Sequence, residues 1–218
     1  MTYGNYIFEL LRNEAPGAPI HISRIAEQLA AEYHMELSAA TAATSVAVKR
    51  IMDGKLIPEL RRYQKGIYYR TVMTPFGELG IDKERLIAEK YLMPDIGYET
   101  GPGLLYRLGL ATQIPRERIL ATNMATNGMR ADEKLGVAIR PARTAINADN
   151  KDYLQTLDAL DSFSKAPVDV EKPYVILARH IRRKGLEYET LLYYADRYYN
   201  KNTVLQIAHT AGEGGDIT

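Results

Sequence analysis

Apolar residues recur at helical spacing three times in the first quarter of the chain. Tyr6, Ile7, Leu10 and Leu11 share one face of a segment from Tyr3 to Arg12, which Pro16-Gly17-Ala18-Pro19 closes. Ile22, Ile25, Ala26, Leu29 and Ala30 are in phase from His21 to Tyr33. Thr44, Ala47, Val48, Ile51 and Met52 mark a third helix, with Ser38 as its N-cap, an alanine-rich first turn and an end at Asp53. Gly54 stands where a helix C-terminus favours a residue tolerant of positive φ. The pattern then turns strand-like. Leu56, Ile57 and Leu60 precede Arg61-Arg62-Tyr63-Gln64-Lys65-Gly66, and Ile67-Tyr68-Tyr69-Arg70 follow with aromatic and branched residues, so a hairpin turning at Gly66 is expected. Ile20 can add a short third strand. Helix, strand, helix, helix, hairpin is the order of a winged helix-turn-helix, expected over residues 1–73.

The pattern breaks between Val72 and Gly80, at Thr74-Pro75-Phe76-Gly77, and a second domain is expected over residues 74–218. Its periodicity predicts mixed α/β structure rich in helices. Helices are expected over Ile81–Tyr91, Gly101–Leu110, Tyr153–Ser164, Tyr174–Lys184 and Glu187–Tyr199, with a further one over Asn202–Thr210. Arg118–Thr122 and Val137–Pro141 read as strands, Asn123–Asp132 between them as a polar turn, and Gly212–Thr218 as a loose tail. The fold class is α+β.

Charge sharpens this picture. Residues 1–48 carry Arg12 and Arg24 against five glutamates, whereas residues 49–70 carry seven cations against Asp53 and Glu59, a local +5 on a chain whose net charge is +1. A localised basic patch on a nearly neutral chain suits contact with backbone phosphates and argues against a general polyanion coat. Thr41, Ser45 and Lys49 recur every four residues off the apolar face of the third helix, with Ala42 small enough for close groove approach. Together with Ser38 they are the candidates for base contact, and Arg50, Arg61, Arg62 and Lys65 those for phosphates. The competing reading is a solvated helix face and a charged edge strand that resists aggregation.

Elsewhere the chemistry is sparse. His21, His34, His180 and His209 are isolated, and no zinc-protease, P-loop or nucleophile-elbow motif occurs, so no catalytic residue, cofactor or metal is expected. Asp158 and Asp161, one helical turn apart, read as the polar face of a helix whose Leu157, Leu160 and Phe163 point inward. The run Arg179-His180-Ile181-Arg182-Arg183-Lys184 offers a second polyanion contact or, more simply, a solvated helix end capped by Gly185. Tyr188, Tyr193, Tyr194, Tyr198 and Tyr199 could stack on bases, but Leu191, Leu192 and Ala195 among them favour packing. Gly101-Pro102-Gly103 could cradle a phosphate or simply make a tight turn. The absence of cysteine, of a signal peptide and of a membrane-length apolar run suits a cytoplasmic protein.

Two segments carry a family likeness. Gly66-Ile67-Tyr68-Tyr69-Arg70 with Thr74-Pro75-Phe76-Gly77, then Gly97-Tyr98-Glu99-Thr100-Gly101 leading to Leu108-Gly109-Leu110-Ala111-Thr112-Gln113-Ile114-Pro115, resemble the AbiEi-type antitoxins of bacterial type IV toxin-antitoxin, or abortive-infection, systems. The likeness covers most of residues 1–165. Here Gly101-Pro102-Gly103-Leu104-Leu105 departs from relatives, which more often carry a polar residue and alanine. The resemblance implies a DNA-binding transcriptional repressor of its own operon that also counteracts a nucleotidyltransferase-like toxin without obligatory contact. Its partner would be double-stranded operator DNA with inverted repeats, bound as two copies. The alternative is a protein- or RNA-interaction module that uses the winged helix as a docking scaffold.

Overall fold

The computed structural model describes residues 2–163 and 168–214. It is a mixed α+β chain of two compact units, Met1–Leu86 and Ile87–Thr218. The division falls later than the change of pattern at Val72–Gly80, because hydrogen bonds hold the intervening residues to the first unit. Thr71 Oγ1 donates to the Leu79 carbonyl at 2.8 Å, and Asp82 N to the Gly17 carbonyl at 2.8 Å.

The first unit contains α1 (Tyr3–Asn13), β1 (Ile20–His21), α2 (Ile22–Tyr33), α3 (Leu37–Asp53), β2 (Leu60–Gln64) and β3 (Ile67–Arg70), followed by the small hairpin β4 (Met73–Thr74) and β5 (Gly77–Glu78). Thr2 caps α1 by accepting from Asn5 N at 3.3 Å. Ile7, Leu11, Ile25, Leu29, Val48 and Ile51 meet in one core with Ile20, Ile57 and Leu60. Ile20 pairs with Tyr68, so β1 joins an antiparallel sheet of order β1-β3-β2. Gly66, at φ +78°, makes the β2–β3 turn. Arg70 ties the sheet to α1, its guanidinium donating to the carbonyls of Arg12 and Glu14.

Both ends of α3 differ from the sequence expectation. Ala40 N donates to the Glu36 carbonyl at 2.9 Å, so the helix begins before Ser38, which lies exposed in the first turn and is not the N-cap. At the other end Gly54 keeps a helical φ of −80°, and Lys55 takes the left-handed conformation at φ +50°. Gly54 answers to space instead: a Cβ there would stand 3.0 Å from the Arg50 carbonyl oxygen.

The second unit begins as α4 (Lys83–Ile87) runs on into a π-helical turn, Ala88–Leu92. It continues with β6 (Gly97–Thr100), α5 (Pro102–Arg107), β7 (Arg118–Thr122), β8 (Arg130–Asp132), β9 (Val137–Arg140), α6 (Lys151–Ser162), α7 (Pro173–Lys184), α8 (Tyr188–Tyr198) and α9 (Lys201–Gly214). The sheet order is β6-β7-β9-β8, with β7 and β9 parallel and the other pairs antiparallel. Leu105, Leu110, Leu157, Leu177, Leu191 and Ile207 form the core among α5 to α9. Two strands of this unit are absent from the sequence expectation. β6 lies in the glycine-flanked family-like block, and β8 is a polar edge strand within the segment read as a turn. Gly212 to Gly214 finish α9 rather than starting a loose tail, whereas residues 215–218, like Ser164 at the expected end of the helix over α6, lie outside the described residues.

Gly97 is fixed by crowding. A Cβ there would stand 2.0 Å from the Tyr91 carbonyl oxygen and 2.9 Å from that of Ala121, both backbone atoms that cannot swing aside. Gly97→Ala should therefore lower stability by about 3 kcal/mol, as overpacking does, measured by urea unfolding. Asp132 clips the π-helical turn to the sheet, accepting from Lys90 Nζ and from the Tyr91 hydroxyl, each at 2.7 Å. Partial burial would raise its pKa, but these donors win and hold it below the ordinary 3.8. A depressed folded pKa contributes stability that is complete above the unfolded value and is lost as pH falls through the folded one. Asp132→Asn should cost about 1 kcal/mol near neutral pH, with the wild-type advantage shrinking below pH 3.8.

Candidate nucleic-acid interface

The surface of α3 divides into two flanks. Ala40, Thr44, Val48 and Ile51 are buried, while Ser38, Thr41, Ala42, Ser45, Lys49 and Arg50 are all exposed. Thr41 Oγ1 donates to the Leu37 carbonyl at 2.7 Å and Ser45 Oγ to that of Thr41 at 2.9 Å. Each hydroxyl proton is thus spent on the helix itself, which leaves the oxygen free to accept. On the other flank Ala42, Val46 and Arg50 line an apolar cleft of about 540 Å³ with Tyr3 and Phe8 of α1 and Leu56. Sequence periodicity marks Ala42 and Arg50 as exposed, but the cleft depends on how α1 crosses α3.

In the β2–β3 hairpin the four cations differ in their surroundings. Arg62, within β2, and Lys65, at the turn, are exposed. Arg61 donates to Glu78 Oε1 at 2.7 Å and to the Pro58 and Leu60 carbonyls at 2.6 and 3.2 Å. Arg70 is engaged by α1, as above. The seven cations of residues 49–70 are therefore not one free patch: a carboxylate from β5 sits on Arg61 and two carbonyls on Arg70. Nothing local to Arg61 signals Glu78, which arrives through the second hairpin.

In the second unit, the polar face that Asp158 and Asp161 mark on α6 is buried. They are 2% and 6% exposed, and each holds an arginine. Asp158 accepts from Arg140 Nη2, from Thr100 Oγ1 at 2.7 Å and from the Tyr199 hydroxyl at 2.8 Å. Asp161 accepts from Arg143 Nη2 at 2.8 Å and Asn200 Nδ2 at 2.9 Å. The Arg143 guanidinium also lies over the Tyr199 ring, 4.5 Å from its centroid. Burial and then the Asp158 charge push the Tyr199 hydroxyl well above its ordinary pKa, so it stays a donor. Among the described residues no group of three or more acidic, histidine or cysteine side chains is placed to hold a metal ion. The tyrosines mostly pack: Tyr194 lies against Tyr153, Tyr193 and Tyr198, and Tyr193 carries Arg197 on its face at 4.2 Å.

Gly101-Pro102-Gly103 opens α5, a helix of only six residues. Gly101 takes φ +69°, and a Cβ on Gly103 would stand 2.5 Å from Glu99 Oε1. A tight turn beside a buried carboxylate accounts for both glycines. No helix among the described residues is long and apolar enough to cross a membrane. No family model, curated protein or solved structure matches the chain.

Removing one partner of a buried ion pair leaves the other charge uncompensated. Asp158→Ala should accordingly cost about 3 kcal/mol of stability, checked by urea unfolding, and far more than the loss of the exposed Lys184–Asp152 pair, a surface bridge worth about 0.5 kcal/mol.

Proposed function

We propose that residues 1–86 bind duplex DNA as a winged helix, with α3 in the major groove and the β2–β3 hairpin on the backbone. The protein then represses its own operon and acts as the antitoxin of a type IV pair. The observation that carries this reading is the exposed polar flank of α3, with Thr41, Ser45 and Lys49, in the same unit as a hairpin that exposes Arg62 on β2 and Lys65 at its turn. Arg50 contributes a cation at the helix C-terminus. Arg61 is a weaker phosphate ligand than its neighbours because Glu78 already occupies it. The element order and the likeness to AbiEi-type antitoxins support the assignment, and the antitoxin half rests on that likeness alone.

Titrating the chain with its own upstream region and with random duplex, by fluorescence anisotropy over a range of salt, tests the reading. Affinity should favour the upstream region and fall steeply with salt. Arg62→Ala and Lys65→Ala should each weaken binding on all sequences and reduce the salt slope by about 1, whereas Lys49→Ala should also erode discrimination. Arg61→Ala should change the slope least, and Glu78→Gln should tighten binding to both duplexes. Equal affinity for the two duplexes in the wild-type chain would sink the repressor assignment.

A protein-docking role is the second reading, favoured by the apolar cleft between α1 and α3. A stable complex with the toxin that survives Arg61→Ala and Arg62→Ala but not Val46→Asp would establish it.

A further inference from the structure

Three guanidiniums from two helices converge on one cleft in the second unit. Arg107, the last residue of α5, and Arg179 and Arg183, one turn apart on α7, line a cavity of about 220 Å³ with Leu108, Ile176 and His180. Arg179 and Arg183 are exposed, and Arg107 is half exposed. His180 is only 7% exposed, with its Nδ1 3.5 Å from Arg183 Nη2. The nearby carboxylates offset this charge only in part, at Arg107. Glu99 is shared between Arg107 at 3.1 Å and Arg118 at 3.0 Å, and Asp152 holds Lys184 at 3.1 Å rather than an arginine of the cleft.

We propose that this cleft binds a terminal phosphate group, carried by a nucleotide or by the end of an oligonucleotide. A planar carboxylate is satisfied by one two-pronged guanidinium, whereas a tetrahedral dianion has oxygens enough for three and the charge to match. The volume admits a phosphate and part of the group that bears it, with Leu108 and Ile176 as an apolar wall. A backbone diester carries a single negative charge, which matches three arginines less well than a terminal phosphate dianion does. This site is separate from the DNA-binding reading and does not rest on it.

His180 supplies the reporter. Burial first, then the charges of Arg183 and Lys184, lower its pKa, while Asp152 opposes them, so the imidazole is kept neutral. An anion that offsets the three arginines should raise that pKa.

The full chain is titrated with inorganic phosphate, with AMP, and with one oligoribonucleotide made with and without a 5′-phosphate. The His180 imidazole nitrogens are followed by NMR and assigned through His180→Gln. The expected result is a saturable shift and a raised His180 pKa with phosphate, AMP and the phosphorylated oligomer, but not with the hydroxyl-ended one. Tighter binding of AMP than of the phosphorylated oligomer identifies a free nucleotide as the source, and the reverse identifies a nucleic-acid end. Arg179→Ala and Arg183→Ala should each weaken binding about tenfold, the loss of one charge-assisted contact, with thermal melting unchanged. Arg179→Glu should abolish it. Absence of a saturable shift, an equal response to the two oligomers, or undiminished binding by Arg179→Glu would overturn the proposal.

Discussion

The second unit depends on one buried carboxylate. Asp158 sits on α6 and takes hydrogen bonds from Thr100 at the end of β6, Arg140 at the end of β9 and Tyr199 just past α8. A carboxylate this deeply buried is held in place by these three donors, since desolvation alone costs several kcal/mol. The same requirement makes the three elements dependent on one another: moving any of them strands charge in the interior. Asp161, one turn on, repeats the arrangement with Arg143 and Asn200 and extends it towards α9. The sheet and the helical layer of this unit are joined through polar contacts as much as through the leucine core.

The first unit was largely legible from the sequence. Its three helices follow an apolar repeat of three and four, the hairpin follows from Gly66 between strand-forming runs, and the third strand from Ile20. What was not legible depends on partners distant in sequence. Arg61 looks like any wing cation until Glu78 is brought to it, and Gly54 looks like a left-handed cap until the turn places that conformation on Lys55.

The family-like block from Gly97 to Thr100 teaches a different lesson. Its four residues are buried, and each has a packing reason: Gly97 for the Tyr91 carbonyl, Tyr98 for the core with Ala121 and Leu154, Glu99 for two arginines, Thr100 for Asp158. These four residues are accounted for by packing alone. The burial of Asp158 and Asp161 was not legible, because a spacing of three is shared by exposed polar faces and by buried ones, and the deciding arginines lie 18 residues upstream. Arg107 reaching the α7 cations was likewise invisible to any local pattern.

The hydroxyls of α3 carry one more consequence. Thr41 and Ser45 give their protons to the helix backbone, so towards anything that meets this face they present only oxygen lone pairs. Under the DNA-binding reading, the hydroxyls in this orientation complement the exocyclic amino groups of adenine and cytosine rather than the carbonyl edges of guanine and thymine. Lys49, a donor without an acceptor, has the opposite taste. Along this face the order is therefore acceptor, acceptor, donor, each one helical turn from the next.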